Sequence, residues 1–217
     1  MPKCKNKNCG KLFKAKFSSF DKCCSDVCLT EYRVQYAMKA AEKYRKDREK
    51  ERTREWAIEK KERSEKIKTH GEYECDLEDE VRAICRLIDA QQPCIACSKF
   101  GKMAAGHRFS KGHNNTLRYS LSNLHLCCFQ CNDSKSGNLD GYDEGLRRIY
   151  GKEYWEHVYF DLKRTYPIVK LSIPEIKEKI VIAKQIVKEL KKIDAVYPPA
   201  MRLALRKKYD ERLGIYL

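Results

Sequence analysis

The spacing of the cysteines constrains this chain more than any other feature. Cys94-Ile-Ala-Cys97 and Cys128-Phe-Gln-Cys131 each place two thiols two residues apart, with about thirty residues between the pairs. A two-residue gap lets both thiolates of a pair reach one tetrahedral ion from a tight knuckle, so two such pairs predict a closed structural zinc site. Five more cysteines crowd the N-terminus: Cys4, Cys9, Cys23, Cys24 and Cys28. A unit of fewer than about forty residues rarely buries enough apolar surface to fold unaided. A second zinc held by Cys4, Cys9, Cys24 and Cys28 is the expected staple, with Cys23 as an alternative to Cys24. Short-spaced groups of this kind favour metal over disulfides, as in a reducing compartment.

Charge narrows the partner. Lys and Arg number 46 against 31 Asp and Glu, a formal net charge of +15. Such an excess favours a polyanion through counterion release, and nucleic acid leads that class. The excess sits in the flanks. Residues 1–22 carry seven Lys and one Asp, and residues 163–217 carry 14 basic and 6 acidic side chains, whereas residues 69–162 carry 11 basic and 14 acidic ones. That distribution suits flanks that hold phosphate backbone around a centre that binds a divalent cation. No apolar run approaches the roughly 20 residues of a membrane span, and Met1-Pro-Lys-Cys-Lys is no signal peptide. A soluble, cytoplasmic protein with no membrane partner is expected.

The organisation predicted is an α-rich α+β chain in four parts: an N-terminal zinc unit over 1–34, a charged helical linker over 35–70, a central domain over 71–166 and a basic helical region over 167–217. Residues from about Glu31 to Lys68 lack Gly and Pro and are rich in Ala, Glu, Lys and Arg, which reads as one long helix ended by Thr69-His70-Gly71. Its 13 basic and 8 acidic residues from Lys39 onward include spaced pairs such as Glu42 with Lys46, the pattern of a solvated rod. A second helix is expected from Asp76 to Ala90, with Leu77, Val81, Ile84 and Ile88 on one face. Further helices are expected over Tyr142–Tyr150, Glu153–Tyr166 and Pro174–Ile193, the last capped by Ser172. A short basic helix then follows Pro198-Pro199 and ends near Leu213.

Between the knuckles, Met103–Phe109 and Thr116–Tyr119 read as two short strands, and the stretch after Cys128 reads as a helix. With a histidine ending the first strand, an asparagine before the second knuckle and a polar residue directly after the last cysteine, this segment resembles the HNH, or ββα-metal, endonucleases. The residues that carry the resemblance are His107, Asn123 and Asn132. It implies His107 as general base, Asn123 as the group that holds the base or its loop, and Asn132 as a ligand of a catalytic Mg²⁺ or Mn²⁺ reached from the helix start. Lys135, Arg108 and Arg118 are the expected phosphate contacts. Many HNH enzymes carry an acidic metal ligand just before the base, where this chain has Gly106. His125 is the first candidate to replace it, ahead of Asp133 and His113, and a thiolate hydrogen bond is its competing role.

Read in order, the motifs extend the resemblance. They are Cys24-Ser-Asp-Val-Cys28, the basic helix, Pro93-Cys94-Ile-Ala-Cys97, Ala105-Gly106-His107, Leu117-Arg118, Asn123-Leu-His125, Cys128-Phe-Gln-Cys131-Asn132 and Ser136-Gly137-Asn138. Together they are similar to the phage NinG, or Rap, family of recombination endonucleases over residues 1 to about 193. That resemblance implies cleavage of branched DNA, including Holliday junctions and displacement loops, alongside phage or host recombination proteins. It also implies that Gly106 is ordinary within the family. Symmetric cutting of a junction calls for two active sites, so a homodimer is expected.

Two rival readings come from other classes. A zinc-finger adaptor that binds DNA or RNA and cuts nothing would need the cysteines and the basic flanks but not His107, Asn123 and Asn132. A nucleobase deaminase is suggested by His70-Gly-Glu72 ahead of Pro93-Cys94-Ile-Ala-Cys97, but gives Cys128 and Cys131 no role.

Overall fold

A computed structural model describes residues 1–15, 22–110, 112, 115–134, 136–166, 169–193 and 195–216. The chain forms two compact units, Met1–Ile67 and Lys68–Leu217. In the first, an antiparallel bridge between Lys3 and Leu12 closes a turn that carries Cys4 and Cys9. Buried Asn6 fastens this turn to a helix, donating to Glu31 Oε2 at 2.5 Å and accepting from Gln35 Nε2 at 3.1 Å. That helix, α1 (Asp26–Ile67), buries none of its residues. It spans roughly 63 Å at 1.5 Å per residue. Ion pairs one turn apart, such as Glu42 with Lys46 at 2.8 Å and Glu59 with Arg63 at 3.0 Å, run along it. Each contributes only a few tenths of a kcal/mol at such an exposed site.

The second unit begins with α2 (His70–Ile88), six residues earlier than the sequence suggests. Thr69 does not merely end α1. Its hydroxyl accepts from Glu72 N while the Glu72 carboxylate accepts from Thr69 N, a capping box that starts the next helix. Tyr73, Leu77, Val81, Ile84, Cys85 and Ile88 bury against α6 (Ile173–Ile193), whose Ile176, Ile180, Ala183, Ile186 and Val187 form the facing stripe. Ser172 accepts this role at the head of α6, its hydroxyl and N–H both held by Glu175.

A two-stranded antiparallel sheet lies between α2 and the cysteine knuckles. It is made of β1 (Met103–His107) and β2 (Leu124–Cys128), with Met103 opposite Cys128 and His107 opposite Leu124. This corrects the second strand. Thr116–Tyr119 belongs instead to a 3₁₀ turn (Asn115–Leu117) and the loop after it, followed by a second 3₁₀ turn (Leu121–Asn123). All five residues of β2 are buried. Both faces of the sheet are covered, so β2 lacks the alternation that marks a half-exposed strand.

After β2 the chain makes a wide π turn (Gln130–Ser134), then α3 (Leu139–Tyr150). α3 lies directly on the first knuckle: a Cβ on Gly145 would sit 1.8 Å from the Ile95 carbonyl oxygen, so only glycine permits this approach. A helical run then passes through α4 (Lys152–Glu156), a second π turn (His157–Asp161) and α5 (Leu162–Thr165). Val158 and Leu162 join Leu117, Tyr142, Leu146 and the zinc cysteines in a second core cluster.

The last helix, α7 (Pro199–Leu213), sends Arg202 and Arg206 into the interior. Arg206 Nη2 donates to Asp89 Oδ2 at 2.6 Å and to Leu124 O at 3.2 Å, and its Nε donates to Leu121 O. The same Asp89 oxygen accepts from Leu126 N at 3.0 Å, so one buried carboxylate ties α2, β2 and α7 together. Burial opposes the charge on Asp89, but the Arg206 guanidinium outweighs it and holds the carboxyl below its usual range.

Candidate active site and zinc centres

Both expected cysteine sets converge. The ligand atoms of Cys4, Cys9, Cys24 and Cys28 lie within 4.8 Å of one another, and so do those of Cys94, Cys97, Cys128 and Cys131. Cys24, not Cys23, completes the first group. The chemistry of these donor sets fits zinc. Packed thiols cannot all ionise without a cation among them: burial and the neighbouring thiols push Cys97 up to about 12, and hydrogen bonds with Cys9 and Cys28 push Cys24 up to about 12. One thiol in each set falls instead: Cys94 to about 4, because the Cys127 thiol and the backbone N–H groups of the knuckle donate to it against the opposing effect of burial, and Cys4 to about 7, where hydrogen bonds from the backbone and from Cys24 and Cys9 outweigh burial. A dication supplies the missing positive charge, and four thiolates leave no open coordination position. Each cluster could therefore hold zinc as a structural staple.

Among the described residues, neither His70 nor Glu72 joins the cluster of Cys94 and Cys97. Cys128 and Cys131 complete the cluster of Cys94 and Cys97, and Glu72 is occupied in capping α2.

The second knuckle carries Asn132 into a cleft of about 650 Å³ beside the open end of the sheet. The cleft is lined by His107 at the end of β1, by Asn132 and Gly137 beyond the last cysteine, by Phe109, and by the cations Arg82 and Lys163. His107 Nε2 lies 2.9 Å from the Arg118 carbonyl oxygen. A carbonyl only accepts, so Nε2 carries the proton and Nδ1 is the basic nitrogen of the neutral ring. That loop is held by Asn123, which is fully buried. Its amide oxygen accepts from Phe109 N at 2.8 Å, and its nitrogen donates to Phe109 O at 3.0 Å and Leu117 O at 3.1 Å. Asn123 therefore ties the segment just after His107 to the loop that carries the Arg118 carbonyl.

Three expected site residues have other work. His125 lies across the ladder from Gly106, while His107 lies across from Leu124, so the two imidazoles point to opposite faces of the sheet. His125 is fully buried, with Nδ1 3.0 Å from Tyr142 Oη and Nε2 3.3 Å from Tyr154 Oη. Both nitrogens are engaged, and burial reinforced by Arg206 keeps the ring neutral, so it offers nothing to an ion in the cleft. Arg118 is buried against α2, paired to Glu78 at 2.7 Å and Glu74 at 3.0 Å. It positions its own carbonyl instead of binding phosphate. Arg108 forms a two-pronged pair with Asp143, both contacts 2.6 Å, which neutralises it beside the cleft. Lys135 and His113 lie outside the described residues. Asp133 is exposed and not among the residues that line the cleft.

Arg82 and Lys163 were not foreseen. Arg82 sits on α2 next to Val81, one residue off the apolar stripe, and pairs with Glu78 at 2.6 Å. Lys163 follows the aromatic run of residues 154–160, and its Nζ lies 4.0 Å from the centre of the Phe109 ring. Among the described residues that line the cleft, Asn132 and His107 are the donors suited to a divalent cation, and none is a carboxylate. That set is too sparse to hold Mg²⁺ or Mn²⁺ by itself, since such ions take most of their ligands from carboxylates, waters and substrate phosphates.

No helix among the described residues is long and apolar enough to cross a membrane. No solved structure matches the chain. Protein ninG of Salmonella phage P22 is 31% identical over 176 residues, covering 75% of this chain and 82% of that protein. The ninG proteins of Escherichia phage lambda and Escherichia phage 933W are each 36% identical over 75 residues, a stretch that spans 34% of this chain and 37% of theirs. With its two cysteine clusters and a match to the model of the bacteriophage lambda NinG protein over residues 1–194, the chain belongs to the NinG family.

Proposed function

We propose that this NinG-family protein is a metal-dependent DNA endonuclease that cuts branched DNA, with His107 as its general base. The observation that carries the reading is the His107 contact to the Arg118 carbonyl, which fixes the proton on Nε2 and makes Nδ1 the basic atom, in a cleft shared with Asn132, Arg82 and Lys163. His107 takes the proton of the attacking water, and the neutral imidazole suits that task near pH 7. Asn132 orients groups at the cleft floor through its amide. Arg82 and Lys163 attract the phosphate, and Phe109 and Leu139 exclude water around it. A divalent ion, when bound with substrate, supplies stabilisation of charge on the phosphoryl group and the leaving oxygen. The choice of branched DNA rests on kinship with the NinG family and on the basic flanks.

The test is cleavage of a four-way junction and a matched linear duplex by wild type and His107→Ala, with Mg²⁺ or Mn²⁺ added. Wild type should nick the junction in preference, and the variant should bind it without cutting. Binding by both proteins with cleavage by neither would make the chain a zinc-finger adaptor. Two cuts across a junction require two sites, so the active form is a homodimer, and sedimentation showing only monomer with and without junction DNA would exclude that part of the reading.

A further inference from the structure

Beside the cleft, four aromatic rings meet in a continuous surface. Phe109 lines the cleft and touches Tyr159, with ring centres 6.3 Å apart. Tyr159 stacks on Trp155 at 5.4 Å and 29°, and Phe160 meets both edge-on at 4.8 and 5.8 Å. Tyr159 and Phe160 remain 39% and 44% exposed, although each would gain by burial. Cations are interleaved with the rings: Arg147 lies 3.6 Å from the Trp155 ring centre, and Lys163 lies 4.0 Å from that of Phe109.

The backbone departs from the α-helix at this surface. Tyr159 and Phe160 sit in the π turn of residues 157–161, where Leu162 N–H bonds to the His157 carbonyl five residues back. Such turns are rare inside α-helices and are frequent at functional sites. Here Val158 and Leu162 stay in the core while the two rings between them reach solvent.

We infer that the exposed rings of Tyr159 and Phe160, backed by the half-buried Trp155 and Phe109, form a stacking platform for the bases of an unpaired DNA strand that leads into the cleft. Exposed rings alone would suit a protein partner equally well. The interleaved cations favour a polyanion, and the shared Phe109 continues the platform into a cleft that itself presents Arg82 and Lys163. Bases offer a π face whatever their sequence, and basic side chains track the phosphates between them. The inference deepens the nuclease reading, since it names unpaired nucleotides next to the scissile phosphate as the feature selected in branched DNA. Binding to a single strand can nevertheless be read without any cleavage.

The probe is a fluorescein-labelled oligothymidylate of about twelve nucleotides, set against a blunt duplex of equal length, with zinc-loaded full-length protein and no added Mg²⁺ or Mn²⁺. Tyr159→Ala should weaken oligothymidylate binding roughly tenfold and leave duplex affinity within about twofold. Tyr159→Leu, which keeps apolar bulk but has no π system, should lose the same affinity with an unchanged melting temperature, and Tyr159→Trp should restore it. In a Trp56→Phe background, the oligonucleotide should quench the emission of Trp155. Equal oligothymidylate affinity for Tyr159→Ala, Tyr159→Leu and wild type would overturn the platform, whether or not the protein cuts DNA. Oligothymidylate binding that depends on Tyr159 in a protein that cuts nothing would sustain the platform and overturn the nuclease.

Discussion

The Asn132 amide oxygen fills the space that a side chain at position 106 would occupy. A Cβ built on Gly106 would lie 2.7 Å from Asn132 Oδ1 and 3.0 Å from Cys127 Cβ. The residue before His107 is thus small because the polar group after the last cysteine folds back against the strand.

Gly106→Ala follows from this geometry as a separation of activity from stability. The atom displaced most easily is the end of a flexible amide, so the fold should survive with a modest loss of melting temperature. Asn132 would swing out of the cleft, and displacement of a positioned group by about 1 Å costs on the order of 10²-fold in rate. Junction cleavage should fall by that order while junction binding holds. Unchanged cleavage would remove Asn132 from the site.

Metal content should count two zinc ions per chain by mass spectrometry under native conditions. Cys128→Ser should release one and unfold the unit Lys68–Leu217, because four crowded thiols lie between the sheet and α3. Cys24→Ser should release the other while the second unit melts as in wild type, since the two units are separately compact. Cys23→Ser should leave both ions in place. Loss of zinc in Cys23→Ser with full content in Cys24→Ser would exchange their roles.

Asp210 predicts a pH dependence of stability. Burial raises its carboxyl from the ordinary 3.8 to about 7, although its Oδ1 accepts from Leu121 N at 3.0 Å. The folded chain therefore holds this proton more tightly than the unfolded chain. The stabilisation is complete below about pH 4 and is lost as pH rises through about 7. Asp210→Asn keeps the acceptor and removes the charge, so the variant should gain stability relative to wild type between pH 4 and 8. The buried Asp89, whose carboxyl is held low by Arg206, acts only below pH 4 and leaves this window clear. Chemical denaturation of both proteins across the range measures the difference, and parallel curves would rule it out.

The legible parts of this fold are those with one strong local cause. α1 is legible because nothing between Glu31 and Ile67 breaks a helix, and the two cysteine clusters are legible because short gaps let paired thiols converge on one point. β2 was misplaced because Leu124–Cys128 is buried on both faces and shows no alternation, whereas Thr116–Tyr119 alternates by accident within a turn and loop. His125 was drawn into the site by its nearness in sequence to Asn123 and Cys128. Only the register, which pairs it with Gly106, shows that it faces three tyrosines instead. Arg118 and Arg108 look like phosphate ligands in one dimension because their acidic partners, Glu78 and Asp143, are 40 and 35 residues away.

The segment that includes and follows α7 offers the sharpest test of how His107 is held. Residues beyond 194 lie outside the family match, yet they grip the loop that presents the Arg118 carbonyl to His107. Tyr216 Oη donates to Thr116 O at 2.7 Å and accepts from Tyr119 N at 3.0 Å, on the two sides of Arg118. Asp210 and Arg206 bind the N–H and the carbonyl of Leu121 a few residues further along. Tyr216→Phe deletes both hydrogen bonds with little change of volume and leaves a buried N–H without its partner, a cost of about 1–3 kcal/mol. If the loop only needs to fold, the variant should melt lower and cut at the wild-type rate while folded. If the loop holds the imidazole, kcat for junction cleavage should drop several-fold at a temperature where the variant is fully folded, with KM unchanged because no group facing DNA has been touched. We expect the second result, since Tyr216 clamps the chain on both sides of the carbonyl that fixes the His107 proton on Nε2.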